Sequence, residues 1–178
     1  MPEQSEKNKV NYIQLTRDCA LAYHKKILEL ETNWSEIGDQ PWGKDNLLLE
    51  LPSKWNLSNI ALFEGKPVGY QVGSICDVIG HGIHLNGKGN YHQLFLNKIL
   101  VDKSMRGMGI AKGLLKKFLE QGLKLEKDLV IFKVRTDNPA VAFYDKLEFK
   151  KMDELAIRPD GVKSFVYNTE IRKVIKNL

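Results

Sequence analysis

Between residues 98 and 117 the chain gathers groups that suit a polyanion. Lys98, Lys103, Arg106, Lys112, Lys116 and Lys117 stand there against a single acid, Asp102. Inside this run lies Arg106-Gly107-Met108-Gly109-Ile110-Ala111, preceded by an apolar, strand-like stretch from Leu94 to Val101. After it, Ile110, Leu114, Leu115, Phe118 and Leu119 recur at helical spacing. A strand-to-helix junction leaves the first N–H groups of the helix without acceptors, and the helix dipole makes that end positive. Glycine lets an anion approach the backbone because no Cβ intervenes. The amides from Gly107 through Met108, Gly109 and Ile110 to Ala111, flanked by Arg106 and Lys112, therefore have the parts of a pyrophosphate cradle.

Two familiar phosphate loops do not fit the segment. A Walker A loop needs Gly-Lys followed by Ser or Thr, which is missing. Gly107-x-Gly109-x-x-x-Gly113, with Asp128 further on, approaches a dinucleotide-binding fingerprint. Only 65 residues follow Gly113, however, and they end in an antiparallel hairpin rather than further parallel units. A second cluster runs from Asn138 to Phe149. Asn138 can cap a helix beginning at Pro139, which carries Val141, Ala142, Tyr144 and Leu147. On its own, Tyr144 in such a helix reads as a core residue.

The elements that must position these groups follow from periodicity and turn chemistry. Val10–Thr16 alternates as a strand, with Thr16 a cap for an amphipathic helix over 17–31. A loop from Trp34 to Trp42 leads to a short helix over Asp45–Leu51. Asn56–Phe63 and Pro67–Val78 form a hairpin about Glu64-Gly65, and Asn86-Gly87 marks another turn. Asp128–Thr136 reads as a buried strand, and Phe149–Ile157 and Val162–Ile171 as a hairpin about Pro159-Asp160-Gly161. The order is β-α-α-β-β-β-α-β-α-β-β, a single α/β domain (α+β, mixed sheet) over residues 10–178 after a flexible N-terminus, 1–9.

Composition bounds the rest. With 178 residues, 43% of them hydrophobic, the chain suits one domain with a real core. Its net charge of +5 invites nucleic acid as a partner. The whole excess sits in residues 98–117 and the remainder is neutral, which favours a small polyanion over a long polymer. Cys19 and Cys76 cannot make a disulfide framework. His81-x-x-His84 supplies two metal-type ligands without a third, so no metal is expected. The polar N-terminus lacks a secretory pattern, and no apolar run suits a membrane span, so the expectation is a cytoplasmic protein without a membrane partner.

Here the residues resemble the GNAT superfamily of acyl-CoA-dependent N-acetyltransferases. Its acyl-CoA motif, Arg/Gln-x-x-Gly-x-Gly/Ala, is matched by Arg106-x-x-Gly109-x-Ala111. A second motif, in which an Asn is followed by an Ala, then Phe/Leu-Tyr and then Gly-Phe, is matched at Asn138, Phe143, Tyr144, Leu147 and Phe149, with Ala142 standing where the alanine is usual. The resemblance covers about residues 10–171, with its specific motifs within 94–149. One departure is Glu148, where the family has Gly; a turn built differently is expected there.

The resemblance implies a GNAT-like fold and transfer of the acetyl group of acetyl-CoA to a primary amine of a small molecule or peptide, by direct attack in a ternary complex. It implies that the pantetheine arm pairs with the backbone of Leu100 and Val101, that Asn138 reaches that arm, and that Tyr144 protonates the departing thiolate. The amine must also lose a proton; His92, Glu36, Glu50 and an ordered water stay open as the base. Asn97 and Lys98 are expected near the reaction centre, where Lys98 would oppose a cationic acceptor if it points inward. The Trp34–Trp42 loop, Tyr70 and the Pro159–Gly161 hairpin would select the acceptor. Trp34, Trp42 and Trp55 read equally as an aromatic wall and as core. The alternative is a non-catalytic acyl-CoA sensor of the same fold, with self-association into a homodimer left open.

Overall fold

In the computed structural model, which describes residues 9–32, 41–77, 92–157 and 161–178, the strands are β1 (Asn11–Gln14), β2 (Asn59–Phe63), β3 (Lys66–Asp77), β4 (His92–Val101), β5 (Leu129–Arg135), β6 (Lys151–Ile157) and β7 (Lys163–Glu170). The helices are α1 (Arg17–Thr32), α2 (Lys44–Leu48), α3 (Ile110–Lys124), α4 (Ala140–Lys146) and α5 (Ile171–Val174). The strands form one mixed sheet in the order β1-β2-β3-β4-β5-β7-β6. The α/β reading holds, with the short C-terminal helix α5 as an addition: Ile171 and Val174, both fully buried, turn inward as its apolar face. The Asn86-Gly87 turn, Trp34, His81, His84 and Pro159 lie outside the described residues. Among those described, no helix is long and apolar enough to cross a membrane.

Local chemistry sets the element ends. Thr16 Oγ1 accepts the Cys19 N–H at 3.1 Å, capping α1. Glu64 and Gly65 both take positive φ, 50° and 75°, the twist a two-residue hairpin turn requires between β2 and β3. The second helix stops short of the expected Leu51. Buried Lys54 donates to the carbonyls of Leu47 and Leu49, each at 2.6 Å, satisfying the last turn of α2. Burial lowers the Lys54 ammonium to a pKa of about 8. Likewise β2 begins at Asn59 rather than Asn56, because residues 54–56 form a single 3-10 turn closed by Ser58 Oγ on the Lys54 carbonyl at 2.7 Å.

Apolar faces cover the two sides of the sheet. On one side Leu115, Phe118 and Leu119 of α3, Tyr144 of α4 and Leu147 just after it pack with Leu94, Leu96, Val130 and Phe132. On the other, Ala20, Ile27 and Leu30 of α1 and Leu47 of α2 pack with Tyr70, Val72 and Leu100. Close approach of α3 requires Gly73, where a Cβ would overlap the Phe118 ring.

Two irregularities open the sheet at its centre. The β3–β4 register shifts between Val72 and Gly73, so that Val72 faces Lys98 while Gly73 faces Leu96, and Asn97 is left as the bulged residue. The parallel pairing of β4 with β5 is confined to Leu94–Val130 and Phe95–Ile131. Beyond those pairs the strands part.

Candidate active site

The parting strands enclose a cavity of about 520 Å³. Leu96 and Ile99 of β4, Phe132 and Val134 of β5, and Asn138 and Tyr144 line it toward α3 and α4. Asn97, Lys98, Lys133, Arg135 and Ser164 line it too, joined by Trp42 and Asn46 from the α1–α2 region. Lys133 and Arg135 alternate with core-facing Phe132 and Val134, so they project to the opposite side of the sheet. The cavity therefore passes through the sheet.

Tyr144 is fixed from both ends of α4. Asn138 Oδ1 accepts the Ala140 N–H at 2.8 Å, the expected cap, while its amide remains at the cavity wall. At the other end the Phe149 N–H bonds the Tyr144 carbonyl at 3.1 Å and the Glu148 N–H bonds the Asp145 carbonyl at 2.9 Å, a Schellman pattern. The Asp145 side chain ties the helix to the sheet, accepting from Tyr167 Oη at 2.9 Å and pairing with Lys151 Nζ at 2.7 Å. The bond from Lys151, aided by that from Tyr167, holds the Asp145 carboxyl below its usual range. The Tyr144 ring packs on Phe132 at 4.5 Å and on Phe149 at 5.8 Å, edge to face. Tyr144 is thus both core and cavity wall. Its hydroxyl has no hydrogen-bond partner among the described residues, and burial raises its pKa far above the ordinary phenol value.

The Schellman turn corrects the expectation at Glu148. The turn is built as glycine would build it, with Glu148 at φ +62°. A left-handed L-residue costs ~1–2 kcal/mol. Asn177 Nδ2 braces the turn from the C-terminal segment, donating to the Leu147 carbonyl at 3.2 Å and to Glu148 Oε2 at 3.1 Å. Glu148→Gly removes the strain but gives up an exposed bond and gains chain entropy when unfolded. A net stabilisation of ~1 kcal/mol is expected, a rise of about 2–4 °C in melting temperature. An unchanged or lower melting temperature would count against strain at this position.

At the head of α3, Gly107 and Gly109 take φ +83° and +77° and face open space. The amides from Gly107 through Met108, Gly109, Ile110 and Ala111 to Lys112 have no acceptor among the described residues; the first helical bond is Gly113 N–H to the Gly109 carbonyl at 3.0 Å. Arg106 and Met108 are exposed beside them. Lys112 differs from expectation: its ammonium donates to the Asn177 carbonyl at 3.2 Å, toward the C-terminal segment. Neither the cradle nor Leu100 and Val101 line the cavity. Ile99 joins the two regions, lining the cavity and packing against the cluster that contains Val101 and Ile110.

Lys98 points inward, and its charge is matched. Its ammonium lies 3.0 Å from Oε2 of Glu31, a carboxylate with no solvent exposure, and 5.5 Å from the centre of the Trp42 ring. Glu31 also accepts from the Trp42 N–H at 3.0 Å and from the Tyr70 hydroxyl. Tyr70 therefore stands behind the wall and acts on the cavity through Glu31. Trp55 is not at the cavity; it donates to Glu50 Oε2 at 2.8 Å. Glu50, bonded there and 3.5 Å from Arg17, is exposed and away from the cavity, which removes it as the base. Glu36 and the side chain of His92 lie outside the described residues.

Sequence reasoning missed Glu31, Lys133, Arg135 and Ser164 at or behind this cavity. Lys133 and Arg135 had a signal, their alternation with Phe132 and Val134 on the strand that leads to Asn138. Glu31 had none, since its partners come from three separate elements.

A split mixed sheet, a capped tyrosine helix at the split and an acceptor-free helix N-terminus are the features that the fold brings together. The chain belongs to the acetyltransferase (GNAT) family, whose sequence pattern matches residues 23–149, and it is an acetyltransferase. Curated protein sequences give no match. Among solved structures, the ribosomal-protein-S18-alanine N-acetyltransferase from Escherichia coli is similar at 18% identity and a TM-score of 0.64, over 92% of this chain and 94% of that one. Ard1 from Thermoplasma volcanium is similar at 19% identity and a TM-score of 0.66, over 90% and 97%. The PaiA N-acetyltransferase from Thermoplasma acidophilum, solved with coenzyme A, is similar at 16% identity and a TM-score of 0.63, over 91% and 99%. These likenesses concern the fold.

Proposed function

We propose that the protein moves the acetyl group of acetyl-CoA to a primary amine of a small molecule or peptide, by direct attack in a ternary complex. The observation that carries this reading is the cavity through the sheet, where the Tyr144 hydroxyl and Asn138 meet the parted edges of β4 and β5. Acetyl-CoA would enter from the α3 side. Its pyrophosphate suits the six amides at residues 107–112 with Arg106, and its pantetheine amides suit the unpaired edge of β4 toward Leu100 and Val101. Asn138 would hold the arm from α4.

The amine nitrogen forms its bond to the acetyl carbon, the carbon–sulfur bond breaks, and the electron pair leaves on sulfur. Burial keeps Tyr144 protonated, so it can donate to that sulfur as charge develops. The acceptor enters as an ammonium and must release a proton before attack. No carboxylate or imidazole lines the cavity among the described residues, which favours water as the first proton carrier.

Gly109→Asp tests the cradle. Asp tolerates left-handed backbone better than most residues, but its carboxylate would cap the same amides and repel a pyrophosphate. Titration calorimetry should show acetyl-CoA affinity falling at least about tenfold, equivalent to ~1.4 kcal/mol, with the fold retained by circular dichroism. Affinity equal to the parent's would remove the cradle assignment.

A further inference from the structure

Building on the acetyl-transfer reading, we infer that the acceptor is a small amine that carries its own oxyanion, a carboxylate or phosphate near the amino group. Three cations line the cavity on the side away from α3 and α4: Lys98 from the bulged part of β4, and Lys133 and Arg135 from β5. No acidic side chain lines the cavity among the described residues. Two acids beside these cations are themselves engaged. Glu31 is fully buried and filled by Lys98, Tyr70 and the Trp42 N–H, and Asp137 lies 2.8 Å from the Arg135 guanidinium.

Glu31 therefore fixes the Lys98 ammonium without presenting a negative surface. An ammonium has three N–H donors; one meets Glu31, and the others have no acceptor among the described residues while the side chain is 12% exposed at the cavity. An acceptor oxyanion there would make a charge-assisted bond in a partly desolvated site, with the Trp42 ring as an apolar floor. A polyamine would bring no oxyanion to meet those Lys98 N–H groups.

Matched acceptors test the inference in a thiol-release assay with acetyl-CoA: lysine against 1,5-diaminopentane, histidine against histamine, tyrosine against tyramine, and phosphoethanolamine against ethanolamine. In at least one pair the member with the oxyanion should have a kcat/KM about tenfold higher or more, the last pair separating phosphate from carboxylate. Lys98→Met should cut that advantage about 10- to 100-fold while acetyl-CoA affinity by calorimetry stays at the parent value. Because Lys98→Met leaves Glu31 buried without its cation, Lys98→Met combined with Glu31→Gln, which strands no charge and keeps an acceptor for Tyr70 and the Trp42 N–H, provides the same readout in a less disturbed fold. Plain amines equal to or better than their partners in every pair, or an advantage unchanged in both variants, overturns the inference. Acetyl-CoA binding without turnover of any pair also overturns it. Absence of acetyl-CoA binding overturns the acetyl-transfer reading as well.

Discussion

Tyr144→Phe lowers turnover by about 100-fold or more, the range a positioned acid contributes, while acetyl-CoA affinity and melting temperature stay close to those of the parent. The reason lies in how the residue is held. The ring is locked by Phe132, Phe149 and Tyr167, contacts a phenylalanine keeps. The hydroxyl, by contrast, has no protein partner among the described residues, although the residue is only 4% exposed. A hydroxyl that opens on the cavity and bonds to no other residue contributes little to folding. Its position at the cavity wall suggests a bond made during the reaction. Since burial raises its pKa, the group remains a proton donor across the neutral range, and no descending limb of the pH–rate profile below pH ~10 should arise from it. Single-turnover measurement of thiol release separates this effect from binding. Parent-like turnover in Tyr144→Phe would remove the residue from the chemistry and leave it as core.

What was legible in the sequence was what short-range rules encode. The glycines before α3, the Thr16 and Asn138 caps, the Glu64-Gly65 turn and the spacing of α3 each depend on a few neighbouring residues, and each appears where that chemistry placed it. The site's other half depends on pairings between distant segments. Whether Lys98 faced the cavity turned on a one-residue bulge at Asn97, since a register slip reverses the side a strand residue faces. Glu31 and Lys98 are 67 positions apart, and nothing local to either announces the pair. Lys112 shows the converse case. Its neighbourhood pointed to the cradle, but the C-terminal segment supplied a carbonyl that a sequence read locally could not foresee. At Glu148 the residue type argued against a left-handed turn, yet the Schellman bonds and the Asn177 brace impose it.

Glu31→Ala is expected to be the most destabilising single change at the site, by ~3–5 kcal/mol, the usual cost of stranding a buried charge. For a chain of this size that corresponds to a loss on the order of 10 °C in melting temperature. Removal of the carboxylate leaves Lys98, with 12% side-chain exposure, without its counter-charge, and it leaves the fully buried Tyr70 hydroxyl and the Trp42 N–H without acceptors. A stability deficit alone would not separate this network from ordinary packing. The separation comes from adding the complementary changes. Glu31→Leu with Lys98→Met and Tyr70→Phe removes the carboxylate and its two side-chain partners together, leaving only the Trp42 N–H without its acceptor, and replacing a buried ion pair by apolar groups of similar volume is often neutral. That triple variant should regain most of the lost stability in thermal melts. It should not regain acceptor kcat/KM, because the ammonium at the cavity wall and the N–H anchor of Trp42 are both gone. Recovery of stability and turnover together would show that the buried triad only holds α1 against the sheet. A melting temperature for Glu31→Ala within about 2 °C of the parent would show that water reaches Lys98 and Tyr70 in solution and that the pair is not buried in the working protein.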